Sequence, residues 1–184
     1  MRCSFFEVPR GPYKEKCEDG EEKMLFIYNP KAGKGQIKNN LSDIIDIFVK
    51  AGNEVTVYPT QYAGDAVRMA AEKSKKYDLL VCSGGDGTLD EVVTGIMQSN
   101  KLVPVGYIPA GSTNDFANSL GIPKNMKAAA ETVVDGRLFA CDIGAFNDDT
   151  FVYIAAFGLF TDVSYETKQE YKNVLGHMAY ILEA

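Results

Sequence analysis

The densest chemistry in the chain lies in nine residues, Ser83-Gly84-Gly85-Asp86-Gly87-Thr88-Leu89-Asp90-Glu91. Glycines at a strand-to-helix turn let a phosphate approach bare backbone N–H groups at the positive end of a helix. A carboxylate in the same turn repels phosphate unless a metal ion or a transferred proton sits between them. Gly85-Asp86-Gly87-Thr88 therefore points to chemistry on a phosphate and not only to its binding. A tight turn with a solvated aspartate is the plainer alternative.

Three other runs have related character. Asn29-Pro30-Lys31-Ala32-Gly33-Lys34-Gly35 combines small residues with two lysines, but has neither the P-loop spacing nor G-x-G-x-x-G. Pro109-Ala110-Gly111-Ser112-Thr113-Asn114-Asp115-Phe116-Ala117 again sets small residues and hydroxyls before a helix start that carries an acid. N-capping by Ser112, Thr113 or Asn114 would explain the same residues. Asp142, in Ala140-Cys141-Asp142-Ile143-Gly144, is a further acidic candidate near a strand end. Asp86, Asp115 and Asp142 together would repel one another. A divalent cation or ordered water is the natural occupant, and Mg²⁺ suits hard oxygen donors beside phosphate.

These loops need strands and helices to position them. Leu25-Phe26-Ile27-Tyr28 and Asp78-Leu79-Leu80-Val81-Cys82 read as strands, and residues 54–58 and 103–108 as two more. Leu89, Val92, Val93, Ile96 and Met97 fall at i, i+3, i+4, i+7 and i+8, one face of a helix that follows Thr88. Leu41, Ile44, Ile45 and Phe48 mark a helix stopped by Gly52. Helices are also expected over 65–75 with Gly64-Asp65 at its start, over 114–119, and over 125–134 before Gly136. The alternation predicts an α/β fold, a mainly parallel sheet with helices on both faces. Ligands of such sheets bind at the carboxyl ends of the strands, where the three glycine-bearing loops fall. After Arg137 the rhythm changes: 138–146 and 150–156 read as consecutive strands joined by Asn147-Asp148-Asp149. Residues 1–23 mix prolines, glycines and charges without a period and are expected to form a flexible leader.

Composition narrows the function. The 184 residues are 46% hydrophobic with a net charge of -6, enough apolar content for a core. No long basic tract is present, so sequence-independent nucleic-acid binding is not expected. Cys3, Cys17, Cys82 and Cys141 have no zinc or redox spacing, which fits a reducing, cytoplasmic compartment. His177 is the single histidine, which excludes a histidine-based triad or a multi-histidine metal site. No apolar run approaches the roughly 20 residues of a membrane span, and residues 10–23 hold no signal-peptide apolar region.

The set Asn29-Pro30…Gly33-Lys34, Gly84-Gly85-Asp86-Gly87-Thr88…Glu91 and Gly111-Ser112-Thr113-Asn114-Asp115-Phe116 resembles the diacylglycerol kinase catalytic family. That family includes bacterial diacylglycerol kinases and related lipid kinases and, more distantly, sphingosine and ceramide kinases. The likeness continues through Asp142-Ile143-Gly144 and Val163-Ser164-Tyr165-Glu166-Thr167 to Ala179-Tyr180. Gly-Gly-Asp-Gly-Thr alone is shared with NAD kinases and phosphofructokinases; the neighbouring runs favour the lipid kinases.

The resemblance implies an ATP cleft between an α/β N-terminal domain and a β-sandwich C-terminal domain. Nucleotide contacts would fall on Asn29, Pro30, Lys31, Ala32 and Gly33, on Thr60, on Gly85, Asp86, Gly87, Thr88, Leu89, Asp90 and Glu91, and on Ser112. Asp86, Asp115 and Asp142 match the family's catalytic acidic network, which acts through water and Mg²⁺. The family usually has Asn where this chain has Asp90. On this reading residues 24–137 are the nucleotide-binding domain and 138–184 cross into an incomplete C-terminal β domain. The family's catalytic base and structural metal site lie in that second domain, so this stretch alone is expected to be inactive. The implied reaction moves the γ-phosphoryl of ATP to a lipid hydroxyl such as that of diacylglycerol. The partner would be lipid at the inner face of the membrane, approached peripherally, and a second copy of the chain in a homodimer. A non-catalytic ATP-binding fragment and an NAD kinase are the alternatives.

Overall fold

A computed structural model describes residues 22–99, 101–136, 138, 140, 141, 143–146 and 149–151. Four strands, β1 (Glu22–Tyr28), β2 (Asn53–Pro59), β3 (Leu79–Gly84) and β4 (Val105–Pro109), form one parallel sheet in the order β2-β1-β3-β4. The inner strands are buried on both faces, which is why Met24 to Tyr28 and Leu79 to Cys82 read as unbroken apolar runs. Edge strand β2 alternates instead, with Glu54 and Thr56 exposed between half-buried Val55 and Val57.

Helices cover both faces, as the alternation predicts. On one face Met24, Phe26, Leu79 and Val81 meet Ile44 and Phe48 of α1 (Ile37–Lys50) and Ala129 and Ala130 of α5 (Met126–Asp135). Phe26 sits edge-on to Phe48, with ring centroids 5.7 Å apart. On the other face Leu25, Ile27, Leu80 and Cys82 meet Met69 and Ala70 of α2 (Asp65–Lys73) and Val92, Val93 and Ile96 of α3 (Asp86–Gln98). Successive strand residues feed opposite cores because strand side chains alternate. Asn125 starts α5 as a side-chain cap, accepting the N–H groups of Lys127 and Ala128 at 3.0 and 3.1 Å. No helix among the described residues is long and apolar enough to cross a membrane.

Several boundaries move from their expected places. Glu22 and Lys23 belong to β1, paired with Asn53 and Glu54, and the rest of the expected leader lies outside the described residues. The helix expected over 65–75 ends at Lys73 and tightens into a 3₁₀ turn, Ser74–Lys76. The two later strands are β5 (Gly144–Phe146) and β6 (Asp149–Phe151), an antiparallel pair, so Asp149 is a strand residue opposite Phe146 and not part of the turn.

The sheet order locates the site. From β1 the chain passes through α1 to β2 on one side, and returns through α2 to β3 on the other. The carboxyl ends of β1 and β3 are therefore the switch point, where two loops diverge and leave a crevice. The core that fixes this geometry has a direct test. Phe26→Ala should destabilise the fold by about 3–5 kcal/mol in urea unfolding; a cost below about 1 kcal/mol would remove the Phe26–Phe48 contact from the account.

Candidate functional site

Three loops meet at the switch point with almost no space between them. After β1, the Asn29 N–H donates to the Ser83 carbonyl at 2.9 Å, and the Asn29 side chain accepts the Lys31 N–H at 2.9 Å, closing an Asx turn. Gly33 has φ +52°, and a Cβ there would lie 2.4 Å from the Ala110 carbonyl oxygen. A Cβ on Gly111 would lie 2.5 Å from the Gly85 Cα. Any larger residue at either position would push the loops apart. The Ala110 N–H also donates to the Gly84 carbonyl at 2.8 Å, and the buried Tyr107 hydroxyl donates to the same oxygen at 3.1 Å. Burial pushes the Tyr107 phenol far up, so it remains a neutral donor at neutral pH.

The helix after the central loop begins earlier than its apolar spacing implies. Gly85 is extended, the Thr88 and Leu89 N–H groups close onto its carbonyl at 3.0 and 3.2 Å, and α3 starts at Asp86. Asp86, Gly87 and Thr88 thus form its first turn. Its N-cap, Gly85, has no side chain with which to cap this end, and the first-turn N–H groups of a helix have no intrahelical partners.

The Asp86 carboxylate reaches across to the third loop. Its Oδ2 accepts the Asp115 N–H at 3.0 Å and its Oδ1 accepts the Phe116 N–H at 3.2 Å. It therefore caps the short helix α4 (Asp115–Leu120) from another segment. The Asn114 side chain, at the N-cap of α4, makes no capping bond of its own. Asn114 has φ +54° and turns its amide back, accepting the Gly111 N–H at 2.8 Å and donating to the Gly111 carbonyl at 2.9 Å. Asp86 and Asp115 are brought together by this bond. Asp142 lies outside the described residues.

Beside these loops is a cleft of about 290 Å³. Asn29, Lys31, Thr60, Thr88 and Glu91 line it, five of the residues expected to touch a nucleotide. Ala32 and Leu89 have their side chains in the two cores, so only their backbone is available to a ligand. Gly87 and Ser112 are exposed, while Pro30, Gly85 and Asp90 are half-buried. Gln61, Tyr62 and Ala63 complete the lining and were not among the expected contacts. Their signal was position alone: they follow Thr60 in a loop at the carboxyl end of β2.

A buried charge fixes that wall. Asp65 is fully buried, and its carboxylate accepts the Gln61 N–H at 2.9 Å, the Tyr58 hydroxyl at 3.1 Å and the Arg68 Nη2 at 2.8 Å. Burial alone would raise its pKa, but the Gln61 N–H, Arg68 and Tyr58 together hold it below the ordinary carboxylate value. Gly64, and not Asp65, is the N-cap of α2, and its N–H donates to Glu91 Oε1 at 3.1 Å. The Thr60 N–H donates to the Tyr28 carbonyl at 2.9 Å. The wall is thus tied to β1, α2 and α3.

The donor chemistry fits a hard cation only in part. Asp86 has lone pairs left after its two N–H bonds, and Asp115 is adjacent. Among the described residues, no group of three or more His, Cys, Asp or Glu side chains could hold a metal ion.

Comparison with known proteins gives a consistent result. The model of the diacylglycerol kinase catalytic domain matches residues 23–146. A diacylglycerol kinase from Staphylococcus saprophyticus is 39% identical over 163 residues, covering 88% of this chain and 53% of that protein. One from Bacillus subtilis is 40% identical over 164 residues, covering 88% and 54%. The crystal structure of a diacylglycerol kinase from Bacillus anthracis superposes with a TM-score of 0.67 at 33% identity, covering 73% of this chain and 47% of that one. The chain spans about half the length of the curated relatives it matches.

The Asp65 network carries a pH signature. Its lowered native pKa means that the unfolded chain binds more protons in acid, so its contribution is present above about pH 4 and is lost as pH falls through the native value. Asp65→Asn should therefore lower stability at pH 7 and flatten its fall below about pH 4, read from urea midpoints across pH. An unchanged acid slope would show that folding does not lower the Asp65 pKa.

Proposed function

Because the chain belongs to the diacylglycerol kinase catalytic domain family, we propose that it supplies the nucleotide-binding part of an ATP-dependent lipid kinase. The observation that carries this reading is the meeting of the three loops beside one cleft, with the glycine-led start of α3 among them. Backbone N–H groups there, with Lys31 on the cleft wall, suit a triphosphate. Asn29, Thr60 and Thr88 offer polar contacts around it.

In phosphoryl transfer the protein's work is mostly positioning and charge stabilisation. Asp86 would hold the second and third loops in register for that task. Asp86 and Asp115, with Asp142, are the residues proposed to hold Mg²⁺ through water. When bound, the metal would offset negative charge on the phosphoryl oxygens. The acceptor is the hydroxyl of a lipid such as diacylglycerol, met at the cytoplasmic face of the membrane by peripheral contact. Its oxygen bonds to the γ-phosphorus, the bond to the ADP oxygen breaks, and the hydroxyl proton passes to a base. None of the described residues is assigned that role.

The test is transfer of label from ATP to diacylglycerol in mixed vesicles, compared with NAD as acceptor, using the intact protein. Label on diacylglycerol alone is expected. Label on NAD would contradict the lipid-kinase reading, and ATP binding with no transfer would reduce it to a non-catalytic nucleotide domain. In the same assay Asp86→Ala should lower the rate about 100-fold or more, the scale of effect expected when reacting groups are displaced by about 1 Å. It should also cost about 2 kcal/mol of stability, since two charge-assisted bonds are lost. A rate near wild type would remove Asp86 from the mechanism.

A further inference from the structure

The cleft wall holds a feature that phosphate binding does not use. Tyr62 lines the cleft, is 60% exposed and is fastened at its tip. Its hydroxyl accepts the Arg68 Nε at 3.1 Å. Arg68 is itself fixed, with Nη2 donating to the buried Asp65 at 2.8 Å and to the Tyr58 hydroxyl at 3.0 Å, and Nη1 donating to Glu72 at 3.2 Å. A guanidinium engaged on each of its nitrogens cannot swing freely, so the tether restricts where the ring can go. The buried anchor is thus linked, through two side chains, to an aromatic surface facing open space.

Charge around the cleft says which part of a ligand belongs there. The start of α3 and Lys31 favour anionic groups. The Glu91 carboxylate binds Gly64 of the same loop that carries Tyr62, and a carboxylate there disfavours phosphate. A phosphate chain therefore settles toward Lys31 and the glycine loops, and the uncharged, flat end of the ligand falls toward Tyr62. We propose that Tyr62, held by the Asp65–Arg68 pair, is the stacking surface for the base of the bound nucleotide. This rests on the reading of the cleft as a nucleotide site. Stacking on one aromatic face discriminates little among bases, so Tyr62 supplies affinity for the base more than a choice between purines.

Isothermal titration of the intact chain with ATP and, separately, with tripolyphosphate tests the assignment. Tyr62→Ala should weaken ATP binding about tenfold or more, the range found on removing a stacked aromatic, and leave tripolyphosphate within about twofold of wild type. Tyr62→Phe keeps the ring and should stay within about threefold for both ligands. Tyr62→Leu, which keeps apolar bulk without the flat ring, replaces the alanine variant with the same expectation should that variant not fold. Wild-type ATP affinity in Tyr62→Ala, or equal loss of both ligands, would overturn the stacking role while leaving the nucleotide site in place. A wild-type chain that binds neither ligand would overturn the nucleotide reading and the stacking role with it.

Discussion

The Asp86 carboxylate accepts the first two N–H groups of α4 while its own backbone opens α3. One side chain therefore joins two segments nearly thirty residues apart and neutralises part of the unsatisfied start of a second helix. The geometry of the site depends on that bond. α4 is too short to hold its own start, and Asn114 is turned away to close the loop on Gly111. Glycines at the contacts let the backbones touch, and the carboxylate then fixes how they touch. A carboxylate beside the proposed phosphate site is electrostatically awkward, and the two N–H partners account for its presence before any metal is invoked.

A second charged group does similar work on the opposite wall. Asp65 is fully buried, yet each of its bonds ties down part of the loop between β2 and α2: Gln61 through its backbone, Tyr58 from the strand, and Arg68 from the next turn of helix. Removing one partner from such a pair leaves a buried group without compensation, which is costly. Asp65 and Asp86 thus position the loops around the cleft without lining it, while Lys31, Thr88 and Glu91 face it.

Much of the fold was legible because its signals are local. Unbroken apolar runs marked β1 and β3, and helical spacing marked Val92, Val93 and Ile96 as a buried face. Gly52 and Gly136 fell just past helix ends as expected. Asn29, Lys31, Thr60, Thr88 and Glu91 were named from the motif resemblance and do share one cleft. What the sequence hid was tertiary. Apolar periodicity begins at Leu89, so it could not show that Asp86 already lies in the helix. Capping logic looks to neighbours in the chain, so it offered Ser112, Thr113 or Asn114 for α4 and could not point to Asp86 in another loop. Tyr62 belongs to no motif, and its place after Thr60 in the loop beyond β2 was its one signal.

The central claim is that the cleft at the β1–β3 switch point takes a nucleotide on loops that Asp86 holds together. Titration of ATP into isotopically labelled chain, followed by backbone amide shifts, tests it most directly. Shifts are expected at Gly85, Gly87, Thr88, Thr60 and Tyr62. The Asp115 and Phe116 amides should keep the downfield position of N–H groups bonded to a carboxylate. Shifts confined to the opposite end of the sheet, around Ala51, Asn53 and Glu22, would contradict it.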